Sequence, residues 1–248
     1  GKRRRRRTPS LQIYRRMIDK NFHHIWVGPL PRPAKWMDTW IEKHPDWNYT
    51  LWDNDKVFGR KWRNQRIIDF YEAKKKWHGV ADVVRYEVLY EFGGFMPGAD
   101  SECLNPIDEL FDNDYELFAV RCGGEKDDWA REDGKTAGKP PLFLEREDKR
   151  LIVPIYACKK ENEFALRLIE ELDKKKDFGE PWKSTGNVFC SEMLKKYDPK
   201  IMIWPMHYFI PYHPYTCESD VPYVYIGKDK VFAKHFWGTT RHKYGDGV

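Results

Sequence analysis

The chain has 248 residues, 33% of them charged, with a formal charge of +5 at pH 7 and 11 tryptophans within an aromatic share of 16%. Setting aside the six cations of residues 2–7 leaves about −1, which excludes the broad basic face of a nucleic-acid binder from the rest of the chain. No run approaches the ~18 apolar residues of a membrane-spanning helix, no apolar signal segment follows the basic start, and Cys103, Cys122, Cys158, Cys190 and Cys217 form no CxxC pair, so free thiols are expected. Residues 1–20 read as a basic leader, helical at most over 11–19. It is a solvated tail in the plain reading and a contact for nucleic acid or anionic membrane in the functional one. A strand is expected at 22–27, closed by Gly28-Pro29-Leu30-Pro31. A helix follows at 34–43 with Trp36, Met37, Trp40 and Ile41 on one side, then a strand at 49–52 closed by Asp53-Asn54-Asp55.

Residues 81–106 are the most informative stretch. Asp82, Val83, Val84, Tyr86, Val88 and Leu89 have helical spacing, and Gly93-Gly94 supplies the positive-φ residues that stop such a helix. An apolar run from Phe95 leads to Asp100 and Glu102, two residues apart. On a strand that spacing puts both carboxylates on one face. Paired oxygen ligands at a strand's end suit a hard divalent cation that also holds phosphate; two solvated acids in a turn are the plain alternative. Asp82 and Arg85 share a helical face, where a local ion pair is the plain reading.

Farther on, a turn of helix is expected at 107–111 and a strand at 117–121. Residues 123–141, charged and glycine-rich without an apolar period, read as a loop or lid over the site. A strand at 152–158, an amphipathic helix at 161–174, a helix at 188–197 and proline-interrupted edge strands at 201–205 and 209–211 complete the pattern. The alternation points to an open α/β sheet flanked by helices, with residues 21–248 as one domain. No HExxH or comparable zinc spacing is present.

Several motifs, in order, resemble glycosyltransferase family 32. The centre of the resemblance is Ala81-Asp82, Arg85-Tyr86-Glu87, Leu89-Tyr90 and Gly93-Gly94, followed by Asp100 and Glu102-Cys103-Leu104. Upstream, His23-His24-Ile25-Trp26-Val27-Gly28, His44-Pro45-Asp46-Trp47 and Leu51-Trp52-Asp53 also match. Ser184-Thr185-Gly186-Asn187 and His235-Phe236-Trp237 are weaker matches downstream. The resemblance implies a GT-A type nucleotide-diphospho-sugar transferase fold with a central, mostly parallel sheet flanked by helices. It implies a UDP- or GDP-sugar donor, Mn2+ or Mg2+, and transfer of a hexose to a glycan or other hydroxyl acceptor with retention, by front-side attack, as in polysaccharide biosynthesis.

Residue by residue, the resemblance assigns Asp100 to the metal, with His235 completing the coordination and Glu102 as a further or alternative ligand. Asp82 and Arg85 reach the donor sugar's hydroxyls and, with Asp100, form the catalytic set. Trp26, between Ile25 and Val27, stacks on or walls the nucleobase, packing beneath the sheet being its plain alternative. Ala99 adjoins the donor, Trp237 reaches the β-phosphate, and Gly186 and Asn187 line the acceptor side. One departure stands out: the first aspartate of the family's Asp-x-Asp motif is Gly98 here. On the family pattern that acid holds the donor ribose and a metal-bound water, so its loss makes an inactive, binding-only descendant the alternative. A nucleic-acid-binding protein acting through the Arg-rich leader comes after it. The lack of an apolar anchor favours a bacterial or viral cytoplasmic enzyme, with the Golgi lumen expected only if an anchor has been removed.

Overall fold

The computed structural model describes residues 18–122, 152–153, 156–211, 230–236 and 238, with backbone alone at 129–131, 212–213 and 223–225. The leader through residue 17, most of the expected 123–141 loop and Trp237 lie outside the described residues.

Strand β1 (Asn21–Ile25) pairs in parallel with β2 (Asn48–Trp52), Phe22 opposite Tyr49 and Ile25 opposite Trp52. Parallel neighbours need a crossover. Helix α1 (Ala34–Lys43) supplies it and buries Trp36, Met37 and Trp40, as its spacing predicts. Next come α2 (Asn54–Phe58), capped by the Asp53 carboxylate on the Lys56 N–H, α3 (Gln65–Ala73) and α4 (Trp77–Phe92). Gly93 and Gly94 stop α4 with φ of 65° and 95°. A Cβ on Gly94 would stand 2.3 Å from the Asn21 carbonyl oxygen, so glycine alone lets the chain turn straight into β3 (Gly94–Phe95) beside β1.

The chain continues through β4 (Ser101–Cys103), a 3-10 turn (Asp108–Phe111), β5 (Leu117–Val120), β6 (Trp129–Arg131) and β7 (Ala157–Cys158). Then follow α5 (Glu163–Lys174), α6 (Pro181–Ser184), α7 (Asn187–Tyr197), β8 (Met202–Trp204), β9 (Tyr212–His213), β10 (Tyr223–Tyr225) and β11 (Ala233–His235). The main sheet has six strands in the order β2-β1-β3-β7-β5-β8, with only β7 reversed. β6, β10 and β9 form a small antiparallel sheet, and β4 pairs with β11. This is the mixed, mostly parallel α/β architecture expected.

Strand periodicity divides the core into two layers. Leu117 and Ala119 of β5 pack with residues of α3, α4, α5 and α7, while Phe118 and Val120 pack with Trp40, Phe111, Trp204 and Phe209. Both faces are covered, which is why these strands read as unbroken apolar runs.

Several boundaries differ from the expectation, each for a local reason. α5 starts at Glu163, not 161, because the Asn162 side chain accepts from the Phe164 and Ala165 N–H groups. The expected strand at 152–158 is β7 plus an isolated bridge between Arg121 and Ile152. The expected strand at 209–211 is absent: a 3-10 turn at Met206–Tyr208 sends Phe209 and Ile210 into the core instead. β6 lies inside the stretch read as a loop. No helix among the described residues is long and apolar enough to cross a membrane.

Three buried histidines make the fold acid-sensitive. His44 donates from Nδ1 to the Trp40 carbonyl and accepts the Ile107 N–H at Nε2, 3.0 Å away, so only the neutral ring fits. Burial lowers its pKa and pushes His23 down to about 4 and His24 to about 3. The unfolded chain protonates these rings below about pH 6.5 while the folded chain resists, so their stabilisation is complete above that pH and is lost towards about pH 4. Thermal unfolding followed by circular dichroism should show the midpoint falling between pH 7 and pH 5. His44→Gln should flatten that slope, and an unchanged slope would remove His44 from the account.

Candidate active site

Five of the six sheet strands run one way, and their carboxyl ends emerge on one edge, the usual place for a ligand in an open α/β sheet. At the ends of β1 and β2 lies a cavity of about 340 Å³, walled by Trp26, Leu30, Arg32, Asp53, Asn54 and Asp55 with Gly28 and Leu51. The Trp26 indole N–H donates to the Leu30 carbonyl at 2.8 Å, which closes the loop over the strand end. Asn54 clamps Gly28 from both sides, accepting its N–H and donating to its carbonyl. Gly28 has φ +106°, and a Cβ there would come within 2.8 Å of the Trp77 indole. Trp26 therefore walls the cavity and does not pack beneath the sheet, whereas Ile25 and Val27 are buried in the core. Only their backbone can face a ligand.

Asp100 lies in the turn before β4, so strand alternation does not pair it with Glu102. The β4–β11 register sets Ser101 opposite His235 and Glu102 opposite Lys234. Directly opposed residues share a face. His235 thus joins the buried Ser101 side, and Glu102 points to the other face with Lys234. Asp100 Oδ1 lies 3.1 Å from His235 Nε2, its Oδ2 accepts the Gly238 N–H at 2.8 Å, and its carbonyl accepts the Phe236 N–H. Burial alone would raise the Asp100 carboxyl; the His235 imidazole and the Gly238 N–H outweigh it, and the group stands below its ordinary range.

A Cβ on Gly98 would lie 3.2 Å from the His235 ring and 3.3 Å from Asp100 Oδ1, so Gly98 borders the same two side chains. Two donors 3.1 Å apart match neighbouring corners around a cation with bonds of ~2.1 Å. The donor set, one ionised carboxylate and one imidazole, fits a borderline divalent cation such as Mn2+. No group of three His, Cys, Asp or Glu suited to a metal occurs among the described residues.

On α4, Asp82 Oδ2 accepts the Thr185 hydroxyl at 3.3 Å. A Cβ on Gly186 would sit 2.8 Å from that oxygen, so glycine permits this close approach. Arg85 donates from Nη1 to the Met96 carbonyl at 2.8 Å, fixing the segment that runs on to Gly98 and Asp100. Asn187 opens α7, with Ala99 half-buried in the turn beside Asp100. Thr185 and Asn54 carried no role in the sequence. Their neighbours in the matching motifs, Gly186 and Asp53, were the available signal.

Burial pushes the Asp82 carboxyl up to about 7, against the opposing pull of Arg85 and Thr185. Between about pH 4 and 7 the folded chain holds a proton that the unfolded chain has released, so this contribution is lost as pH rises through 7. Asp82→Asn should accordingly be more stable than wild type by about 1–3 kcal/mol near pH 8, with the difference vanishing towards pH 4. Urea unfolding at the two pH values measures it; a variant less stable at pH 8 would contradict the buried-charge account.

Residues 31–117 match the family described as glycosyltransferase sugar-binding region containing DXD motif. That segment includes Asp82, Arg85, Gly98 and Asp100 but ends before Gly186 and His235. A stretch of 102 residues is 30% identical to inositol phosphoceramide mannosyltransferase 3 of Schizosaccharomyces pombe, covering 38% of this chain and 27% of that protein. The chain therefore spans about a quarter of that relative's length. Among solved structures, the PaToxG glycosyltransferase shares 17% identity at a TM-score of 0.46, covering 72% of this chain and 69% of that one.

Proposed function

We infer that this chain, which carries the sugar-binding region of the DXD glycosyltransferases, is a glycosyltransferase that moves a hexose from a UDP- or GDP-sugar to a glycan or other hydroxyl acceptor. The observation that carries the reading is the Asp100–His235 pair, an ionised carboxylate 3.1 Å from an imidazole at the carboxyl edge of the sheet. Asp100 and His235 would hold Mn2+ or Mg2+, whose charge, when bound, offsets the negative charge that builds on a departing diphosphate. Glu102, on the far face of its ribbon, takes no share. Trp26 offers its ring to the nucleobase, a contact of ~1–3 kcal/mol in comparable stacking sites.

Asp82, whose Oδ2 accepts the Thr185 hydroxyl, would receive a sugar hydroxyl, and the Arg85 guanidinium stands one helical turn on. Hydrogen bonds of this kind discriminate epimers, because a wrong hydroxyl leaves buried polar groups unpaired. By the resemblance, Ala99 would adjoin the donor, Trp237 would reach its β-phosphate, and Gly186 and Asn187 would line the acceptor side, within one domain over residues 21–248. Retention follows if the acceptor hydroxyl attacks from the leaving-group side. The new bond to the anomeric carbon then replaces its bond to the phosphate oxygen, which takes the hydroxyl's proton.

Gly98 favours one second reading, a descendant that binds the nucleotide sugar without turning it over. Calorimetry with UDP and GDP, each with and without Mn2+, tests both. One nucleotide should bind in a metal-dependent way, and Asp100→Asn should lose at least tenfold in affinity with Mn2+ present while keeping its circular dichroism spectrum. Binding that ignores metal and Asp100 alike would overturn the metal-dependent reading. Binding without transfer or donor hydrolysis would establish the second.

A further inference from the structure

Four large apolar side chains among the described residues are exposed: Leu30, Ile41, Leu104 and Trp182. Trp182, on α6, is the aromatic one, at 47% exposure, whereas Trp36, Trp40, Trp47, Trp52, Trp62 and Trp204 are all buried. A single exposed indole is common on a surface, so its mounting and its neighbours decide whether it can serve a ligand. The turn that bears Trp182 is fastened on both sides. The Thr185 and Gly186 N–H groups both donate to the Pro181 carbonyl at 2.8 Å. The Gly179 N–H donates to the Ser184 hydroxyl, and the Tyr86 hydroxyl of α4 donates to the Thr185 carbonyl. Pro181 in turn packs against Gly79 so closely that a Cβ there would stand 3.0 Å from its ring.

The same turn touches the site. The point where a Gly186 Cβ would lie is 2.8 Å from Asp82 Oδ2 and 3.0 Å from the Trp182 Cα. An exposed, rigidly mounted indole thus springs from the backbone next to a carboxylate that accepts hydroxyl hydrogen bonds. A pyranose ring needs that combination: its C–H face lies flat on an aromatic surface while its rim hydroxyls seek carboxylate and hydroxyl partners. Mounting the ring on a fixed turn lowers the ordering cost on binding. The Lys183 ammonium, 5.0 Å from the indole centroid, adds a donor beside the same ring.

We propose that Trp182 is a stacking platform for a pyranose ring of the acceptor, at the mouth of the site beyond Gly186. The platform rests on the glycosyltransferase reading, in which the donor's base, diphosphate and sugar are already provided for by Trp26, Asp100 with His235, and Asp82 with Arg85. Saturation-transfer difference NMR tests it on the whole chain, loaded with Mn2+ and UDP or GDP. The probes are methyl α-mannopyranoside, methyl α-glucopyranoside, methyl β-galactopyranoside and their disaccharides.

Ring C–H protons of at least one probe should receive saturation. Trp182→Ala should weaken that probe's binding about tenfold, Trp182→Phe should retain most of it, and both should bind nucleotide as the wild type does. Equal sugar binding by Trp182→Ala, or no saturation of any probe in nucleotide-loaded wild type, overturns the platform while leaving the glycosyltransferase reading in place. Failure of wild type to bind either nucleotide overturns that reading, and the platform with it.

Discussion

The passage from α4 into β3 is the constraint on which the rest of this molecule hangs. Two glycines with positive φ allow a sixteen-residue helix to turn at once into a strand, with no room for a Cβ against the Asn21 carbonyl. That turn places α4 against one face of the sheet and drops the next segment onto its carboxyl edge. Asp82 and Arg85 then stand on the helix, with Gly98 and Asp100 at the strand's end, all from one continuous stretch of chain. The helix is apolar over most of its surface, with Val80, Val83, Val84, Tyr86, Val88 and Leu89 all fully buried. Its position is consequently set by packing and not by surface pairing.

Around that unit, small residues mark where backbones approach the site. Gly28 leaves space for the Trp77 indole, Gly186 for the Asp82 carboxylate, and Gly98 for the Asp100–His235 pair. The Gly98 contact bears on how the motif departure is understood. The missing side chain leaves no void, because the His235 ring lies within 3.2 Å of where its Cβ would stand. A carboxylate there would have to share that space with the imidazole.

Much of this was legible in the sequence, and the limits have physical causes. α1, β2, the α4 core and β5 were readable because period and punctuation agree there: apolar spacing, then Gly, Pro or Asp at or within three residues of the break. α3 was not singled out although Ile67, Ile68 and Tyr71 share one buried face, and α2 was not because five residues hold little periodicity. The 209–211 stretch looked like a strand by residue type, yet burial of Phe209 and Ile210 is achieved from a turn. At the candidate site, the sequence singled out Asp82, Arg85, Asp100 and His235 one by one. It could not foresee that β11 returns from more than a hundred residues away to pair with β4, and that this register brings His235 to Asp100 while turning Glu102 outward. Long-range antiparallel register leaves no local trace in composition.

The bond from Arg85 to the Met96 carbonyl has a consequence for how this site can vary. One guanidinium ties the helix that carries Asp82 to the peptide chain that leads to Asp100. A substitution at Arg85 would release Met96 as well as change the face of α4, and with it the approach to the carboxylate four residues on. The two ends of the candidate site are thus bound into one mechanical unit, and variation that separates them has to come from the link between α6 and α7, where Thr185 and Gly186 meet Asp82 with a hydroxyl and a bare backbone.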